Sequence, residues 1–172
     1  MQGKQVSESC VYMAHMMLPE DANPAAIVHG GVVMKHIDNA AGVVAVRHTR
    51  HICVTASIDR LDFYHPVFIG NLLMIKASLN MVGKTSMEIG VRVESEDLLT
   101  GVVKHTASAY LTFVALDENS KPKEVPPLIL VKEEEKRRNQ EAMARREIRL
   151  AEKQREKECR SDATKCAVKN QK

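Results

Sequence analysis

The stretch that decides the fold runs from residue 29 to residue 47 and reads HGGVVMKHIDNAAGVVAVR. Residues 32–46 have helical periodicity. Met34, Ile37, Ala41 and Val44 recur at spacings of three, four and three, and Val33, Ala40 and Val43 widen the apolar stripe. A helix apolar around most of its circumference belongs inside a fold. Asp38 breaks the pattern, because a carboxylate in an aliphatic helix is costly to bury without a partner. At the entry to the helix stand His29, Gly30 and Gly31. The first free N–H groups of a helix, at the positive end of its dipole, suit an oxyanion or a phosphate. Gly30 and Asp38 lie about 10 Å apart along the axis on a similar face, so both could address one small group. Each residue also has a plainer reading. Asp38 can be satisfied by a backbone N–H or by Lys35, His29 can hydrogen-bond the loop, and the glycines can make a tight turn.

Working outward, residues 18–31 (LPEDANPAAIVHGG) read as a loop and residues 5–17 as a first strand. Four strands are expected after the helix, at 52–63, 72–82, 86–95 and 102–115. In 52–63, Val54, Ala56 and Ile58 alternate with Thr55, Ser57 and Asp59. In 86–95, Met87, Ile89, Val91 and Val93 alternate with Glu88, Arg92 and Glu94. A strand, a long helix and four strands joined by short turns predict an α+β domain over residues 1–131. One antiparallel sheet of about five strands wraps around the buried helix, which is the outline of a hotdog fold. Such a sheet leaves an exposed edge, and pairing two copies edge to edge removes it, so a homodimer at least is expected.

The rest of the chain bounds the function. Hydrophobic residues make up 44% of the 172 residues and aromatics 3%, with no Trp, so the core is aliphatic and a base-stacking nucleic-acid module is disfavoured. The net charge of +3 is a property of the tail. Residues 132–172 hold 14 Lys/Arg against 9 Asp/Glu, and the remainder holds 11 against 13. Residues 132–158 are good helix formers without a heptad seam. They predict a charged helix, solvated and held by ion pairs, that frays to disorder near Ser161. The glutamates among its basic residues blunt attraction to phosphates, so no nucleic-acid partner is expected. Four scattered cysteines fit a reducing cytosol, and no secretory signal or membrane span is visible. No metal site is expected, because the histidines and cysteines do not cluster, and His48 and His51 read as surface residues.

The run Asp21-Ala22-Asn23, His29-Gly30-Gly31, Asp38 and Ala41-Gly42 resembles the acyl-coenzyme A thioesterases of the hotdog superfamily. The likeness is strongest to the cytosolic, brain-type acyl-CoA hydrolases and their bacterial single-domain relatives. Arg47-His48, VTASIDRLDF at 54–63, GKTSMEI at 83–89 and FVALDENSKPKEVPP at 113–127 agree with it, and the resemblance covers about residues 6–135. It implies hydrolysis of fatty acyl-CoA in the cytoplasm, with CoA as part of the substrate and no separate cofactor. It implies that Asp38 is the catalytic carboxylate, that Asn23 is its catalytic partner from the other subunit of a dimer, and that the Gly30 N–H meets the thioester carbonyl. Arg47 and the Gly83-Lys84-Thr85-Ser86 loop correspond to substrate-binding positions near the pantetheine and phosphates, and His29 and Gly31 are further substrate-binding positions. A trimer of dimers is implied as the assembly. Two features depart from the family. Only one hotdog is present where the brain-type enzymes carry two, and Ala26-Ile27 stands where relatives often have glycine and a polar residue.

The chemistry agrees with elementary requirements. Thioester hydrolysis needs a base or nucleophile, a polarised carbonyl and a positioned water. Asp38 can activate water or attack the carbonyl directly. The Gly30 N–H can stabilise the oxyanion, and Asn23 can orient water or carbonyl. Two other readings weigh less. An acyl-CoA sensor would bring a DNA-reading module, and none precedes residue 6. An enoyl-CoA dehydratase would want its Asp/His pair in a different motif.

Overall fold

Residues 1–161 are described by the structure, a computed structural model. Its centre is helix α1, Gly30–Thr49. It starts two residues before the apolar run because His29 acts as N-cap, its Nδ1 accepting the Gly31 N–H at 2.9 Å. It ends at Arg50, which takes a left-handed conformation and donates its N–H to Val46. Val33, Ile37, Ala40, Ala41, Val44 and Ala45 are buried, and the three alanines let the helix lie close to the sheet.

The sheet has strands β2 (Val11–Met16), β3 (Cys53–Phe63), β4 (Leu72–Val82), β5 (Ser86–Glu96) and β6 (Val103–Ala115), all antiparallel, in the spatial order β2-β4-β5-β6-β3. Ile75, Leu79, Met87, Ile89, Val93, Ala107 and Leu111 face α1 and form the aliphatic core. This is the expected α+β hotdog architecture. The segment 5–17 is not one strand. Lys4–Gln5 (β1) pairs in parallel with Leu128–Ile129 (β7), and a turn of 3-10 helix at Val6–Glu8 precedes β2. The alternation in β3 is also interrupted. Its register against β6 slips between Thr55 and Ser57 and again between Ile58 and Arg60.

The charged helix forms as α2, Glu133–Ser161, but it is not wholly solvated. Arg138 donates to Ser78 and Asn139 to the Asn80 carbonyl, both on β4. Arg145 meets Glu88 on β5 at 2.6 Å and covers the Tyr110 ring on β6 at 3.8 Å. Arg149 pairs with Asp59 on β3. From Arg138 to Arg149 a helix rises about 16 Å, and three strand gaps span about 14 Å. So α2 crosses the face of the sheet opposite α1, touching four neighbouring strands in spatial order. Alternation had marked Glu88 as outward-facing. It points outward into this helix and is fully buried. The expected fraying beyond Ser161 lies outside the described residues. Cys10 and Cys53 are free thiols.

Candidate active site

The residues singled out by sequence fall into three groups. Asp38 is half-buried on α1. One carboxylate oxygen accepts the Thr55 Oγ1–H from β3 at 2.6 Å. Sequence reading missed Thr55, although it lies in the VTASIDRLDF stretch; nothing in an alternating strand marks one threonine as facing a helical carboxylate. Asp38 and Thr55 line a cavity of about 560 Å³ whose other walls include Gly42, Val46, Val54 and Phe113. Arg47 lines it too, and its guanidinium donates to the Cys10 carbonyl at 3.0 Å. Cys53, at the same wall, has its thiol pushed up by burial, with a weaker opposing effect from Thr49.

Asn23 and Gly30 line a different cavity, of about 360 Å³, together with Val33, Phe63, Tyr64 and His65. The Asn23 carboxamide oxygen accepts the Ala25 N–H at 2.9 Å, which leaves its NH₂ to donate. Ala26 takes a left-handed φ of 58°. Gly30 opens α1, so its amide belongs to the group without an intrahelical acceptor. Gly31 is needed for the cap: a Cβ there would meet the His29 ring at 3.0 Å. His29 thus serves the helix start.

The single chain therefore does not bring Gly30 and Asp38 to one small group, as their shared helix had suggested. Asn23 and Gly30 lie at the Phe63 end of β3, and Asp38 and Thr55 lie at the Cys53 end. The turn Gly83-Lys84-Thr85-Ser86 lines neither cavity. It is a β4–β5 hairpin closed by Gly83 N–H to Ser86 O at 2.7 Å, with Lys84 exposed and 3.4 Å from Glu124.

The strand joining the two half-sites is a sheet edge. Among the described residues β3 pairs only with β6, and Ile52, Val54, Ile58 and Phe63 on or beside it are exposed. His48, expected at the surface, is fully buried, with Nε2 2.9 Å from the Pro126 carbonyl. Among the described residues no group of three or more His, Cys, Asp or Glu could hold a metal ion.

Residues 25–102 match the family described as the thioesterase superfamily. An uncharacterized acyl-CoA thioester hydrolase of Bacillus subtilis is 40% identical over 74% of this chain and 74% of its own. The cytosolic acyl coenzyme A thioester hydrolase of Mus musculus is 37% identical over 81% of this chain, which spans 37% of that longer protein. A hexameric acyl-CoA thioesterase structure superposes with a TM-score of 0.85 at 39% identity, covering 88% of this chain and 97% of that one. An acyl-CoA hydrolase from Staphylococcus aureus, solved in complex with butyryl coenzyme A and coenzyme A, gives 0.84 at 35% identity, covering 92% and 96%.

Proposed function

The chain belongs to the thioesterase superfamily and is an acyl-CoA thioester hydrolase; from that premise we propose that its active site is assembled by two copies paired through β3. The observation that carries this reading is the separation of the half-sites to opposite ends of one exposed edge strand. Two β3 strands paired antiparallel about a two-fold axis place the Phe63 end of each against the Cys53 end of the other. Asn23 and Gly30 of one subunit then face Asp38 and Thr55 of its partner. The pairing also satisfies the open edge and covers Val54 and Ile58.

In that composite site the thioester carbonyl accepts the Gly30 N–H, at the positive end of α1. The Asn23 NH₂ donates to the carbonyl or to the water. Asp38, one oxygen held by Thr55, uses the other to deprotonate water or to attack the carbonyl carbon. The tetrahedral intermediate collapses with expulsion of the CoA thiolate, a good leaving group that demands no strong acid; where water attacked, this gives the free acid, and where Asp38 attacked, it leaves a mixed anhydride on Asp38 that a water then hydrolyses to the acid and the free carboxylate. Fatty acyl-CoA is the proposed substrate and the cytoplasm the proposed location, in line with the cytosolic mammalian relative. The proposed assembly is a trimer of such dimers, in line with the hexameric structural neighbour. Arg47 and the Gly83–Ser86 hairpin are proposed to meet CoA phosphates in that assembly.

The test is complementation. Asp38→Ala and Asn23→Ala should each abolish or severely reduce thiol release from acyl-CoA. Co-expressed with different tags, they form mixed dimers in which one of two sites is intact. Random pairing predicts recovery of about a quarter of wild-type activity. No recovery in isolated mixed dimers would place both residues in one subunit's site and refute the assembly. Normal turnover in Asp38→Ala would refute the assignment of the carboxylate.

A further inference from the structure

Thr55 sits on an edge strand whose ladder is broken twice, so β6 alone holds its register weakly. A second set of contacts holds it from the other face of the sheet. The Asp59 carboxylate accepts the Ser57 Oγ–H at 2.9 Å through one oxygen and pairs with the Arg149 guanidinium of α2 through the other. Asp59 and Arg149 are each only 13% exposed at the side chain, so solvent competes little for this contact. Arg149 is itself held, because α2 is fixed to β4, β5 and β6 through Arg138, Asn139 and Arg145. A contiguous polar path thus runs from α2 through Arg149, Asp59 and Ser57 to the strand segment that presents Thr55 to Asp38.

We infer that Arg149, Asp59 and Ser57 are positioning residues for the hydrolase: they lock the bulged segment of β3 so that Thr55 stays bonded to Asp38. The inference rests on the proposed role of Asp38. It gives the charged helix a task in catalysis, carried out from the side of the sheet away from the substrate. Among the described residues, Arg47 is the other charged group lining the Asp38 cavity, and it does not touch the relay.

The experiment compares Ser57→Ala, Asp59→Asn, Arg149→Met and Arg149→Lys with wild type and with Thr55→Val, as full-length protein. Ser57→Ala leaves no unpaired charge and is the variant least able to disturb folding. The relay predicts a fall in kcat of about tenfold for Arg149→Met, because small misplacements of reacting groups are costly. KM should stay within twofold. The loss should run through Thr55, so Arg149→Met and Ser57→Ala should each cost little further rate when added to Thr55→Val. Arg149→Lys should recover most of the rate. Variants that assemble normally but lose rate additively with Thr55→Val would overturn the relay, as would a rate equal to wild type. If Asp38→Ala turns over normally, the reading beneath it fails instead. If Asp38→Ala is dead while the relay variants keep the wild-type rate, only the relay fails.

Discussion

The buried pair between α2 and the sheet makes an asymmetric prediction. Glu88 has no solvent exposure, and its carboxylate meets Arg145 at 2.6 Å and Asn80 Nδ2 at 3.2 Å. Arg145 keeps 23% of its side chain exposed and also lies over the Tyr110 ring. Replacing Arg145 with Met strands a fully buried carboxylate with one amide as partner, and removing one member of a buried pair costs about 3–5 kcal/mol. The cation–π contact is lost as well, adding about 0.5–1 kcal/mol. Replacing Glu88 with Gln is milder. The guanidinium can turn toward water, and the loss is that of a charge-assisted hydrogen bond, about 1.5–3 kcal/mol. Arg145→Met should therefore be the more destabilising change by about 2 kcal/mol. Urea titration followed by far-UV circular dichroism, at one fixed protein concentration, measures both. Equal losses, or a larger loss in Glu88→Gln, would show that burial of the carboxylate does not govern this contact.

Two further outcomes are expected. Ile58, exposed on the edge strand, becomes a barrier to pairing as Ile58→Lys, which should keep the helical and sheet signature while sedimenting as a monomer without turnover; an active dimer would refute the β3 interface. His48 and His36 both have pKa values lowered by burial, with the neighbouring His15 adding to the effect at His36. The unfolded chain then binds more protons than the folded one below the ordinary histidine value of about 6.5, so stability should fall as pH drops from there toward the lowered values and stay flat above. Thermal melts across pH 5–8 check this, with His48→Gln expected to flatten the slope.

What could be read from sequence follows the reach of each signal. The four-three spacing of Ile37, Ala41 and Val44 and the alternation in residues 86–95 place α1 and β5, because burial on one face leaves a periodic mark. Gly30 and Asp38 stood out because a glycine or a carboxylate in an apolar helix needs a reason, whereas Asn23 came from the family resemblance alone. Thr55 did not, since threonine is ordinary in a strand, and its bond to Asp38 depends on where a sheet meets a helix. His48 reads as a surface residue near Arg50, yet its own helical position points at Pro126. The docking of α2 was illegible for a related reason. A helix held by Arg138, Arg145 and Arg149 has the composition of a solvated one, and only the acidic and polar residues opposite them on the sheet distinguish the two.

The broken alternation of β3 has a cause in what the strand must hold. In a regular strand the odd residues share one face, so Thr55 and Asp59 would point the same way. Thr55 meets Asp38 on α1, and Asp59 meets Arg149 on α2, on the opposite face of the sheet. An odd number of phase slips must therefore separate them. The slip between Thr55 and Ser57 supplies one, and the Ser57–Asp59 bond then joins two residues that share a face. The slip between Ile58 and Arg60 follows at Asp59 itself. Deleting Ala56, the residue inside the first slip, restores the alternation and forces a choice. Either Thr55 turns away from Asp38, or Asp59 turns away from Arg149. Turnover should collapse in the first case. In the second it should fall as in Arg149→Met. A deletion variant with wild-type kcat would show that the bulge is incidental to the site.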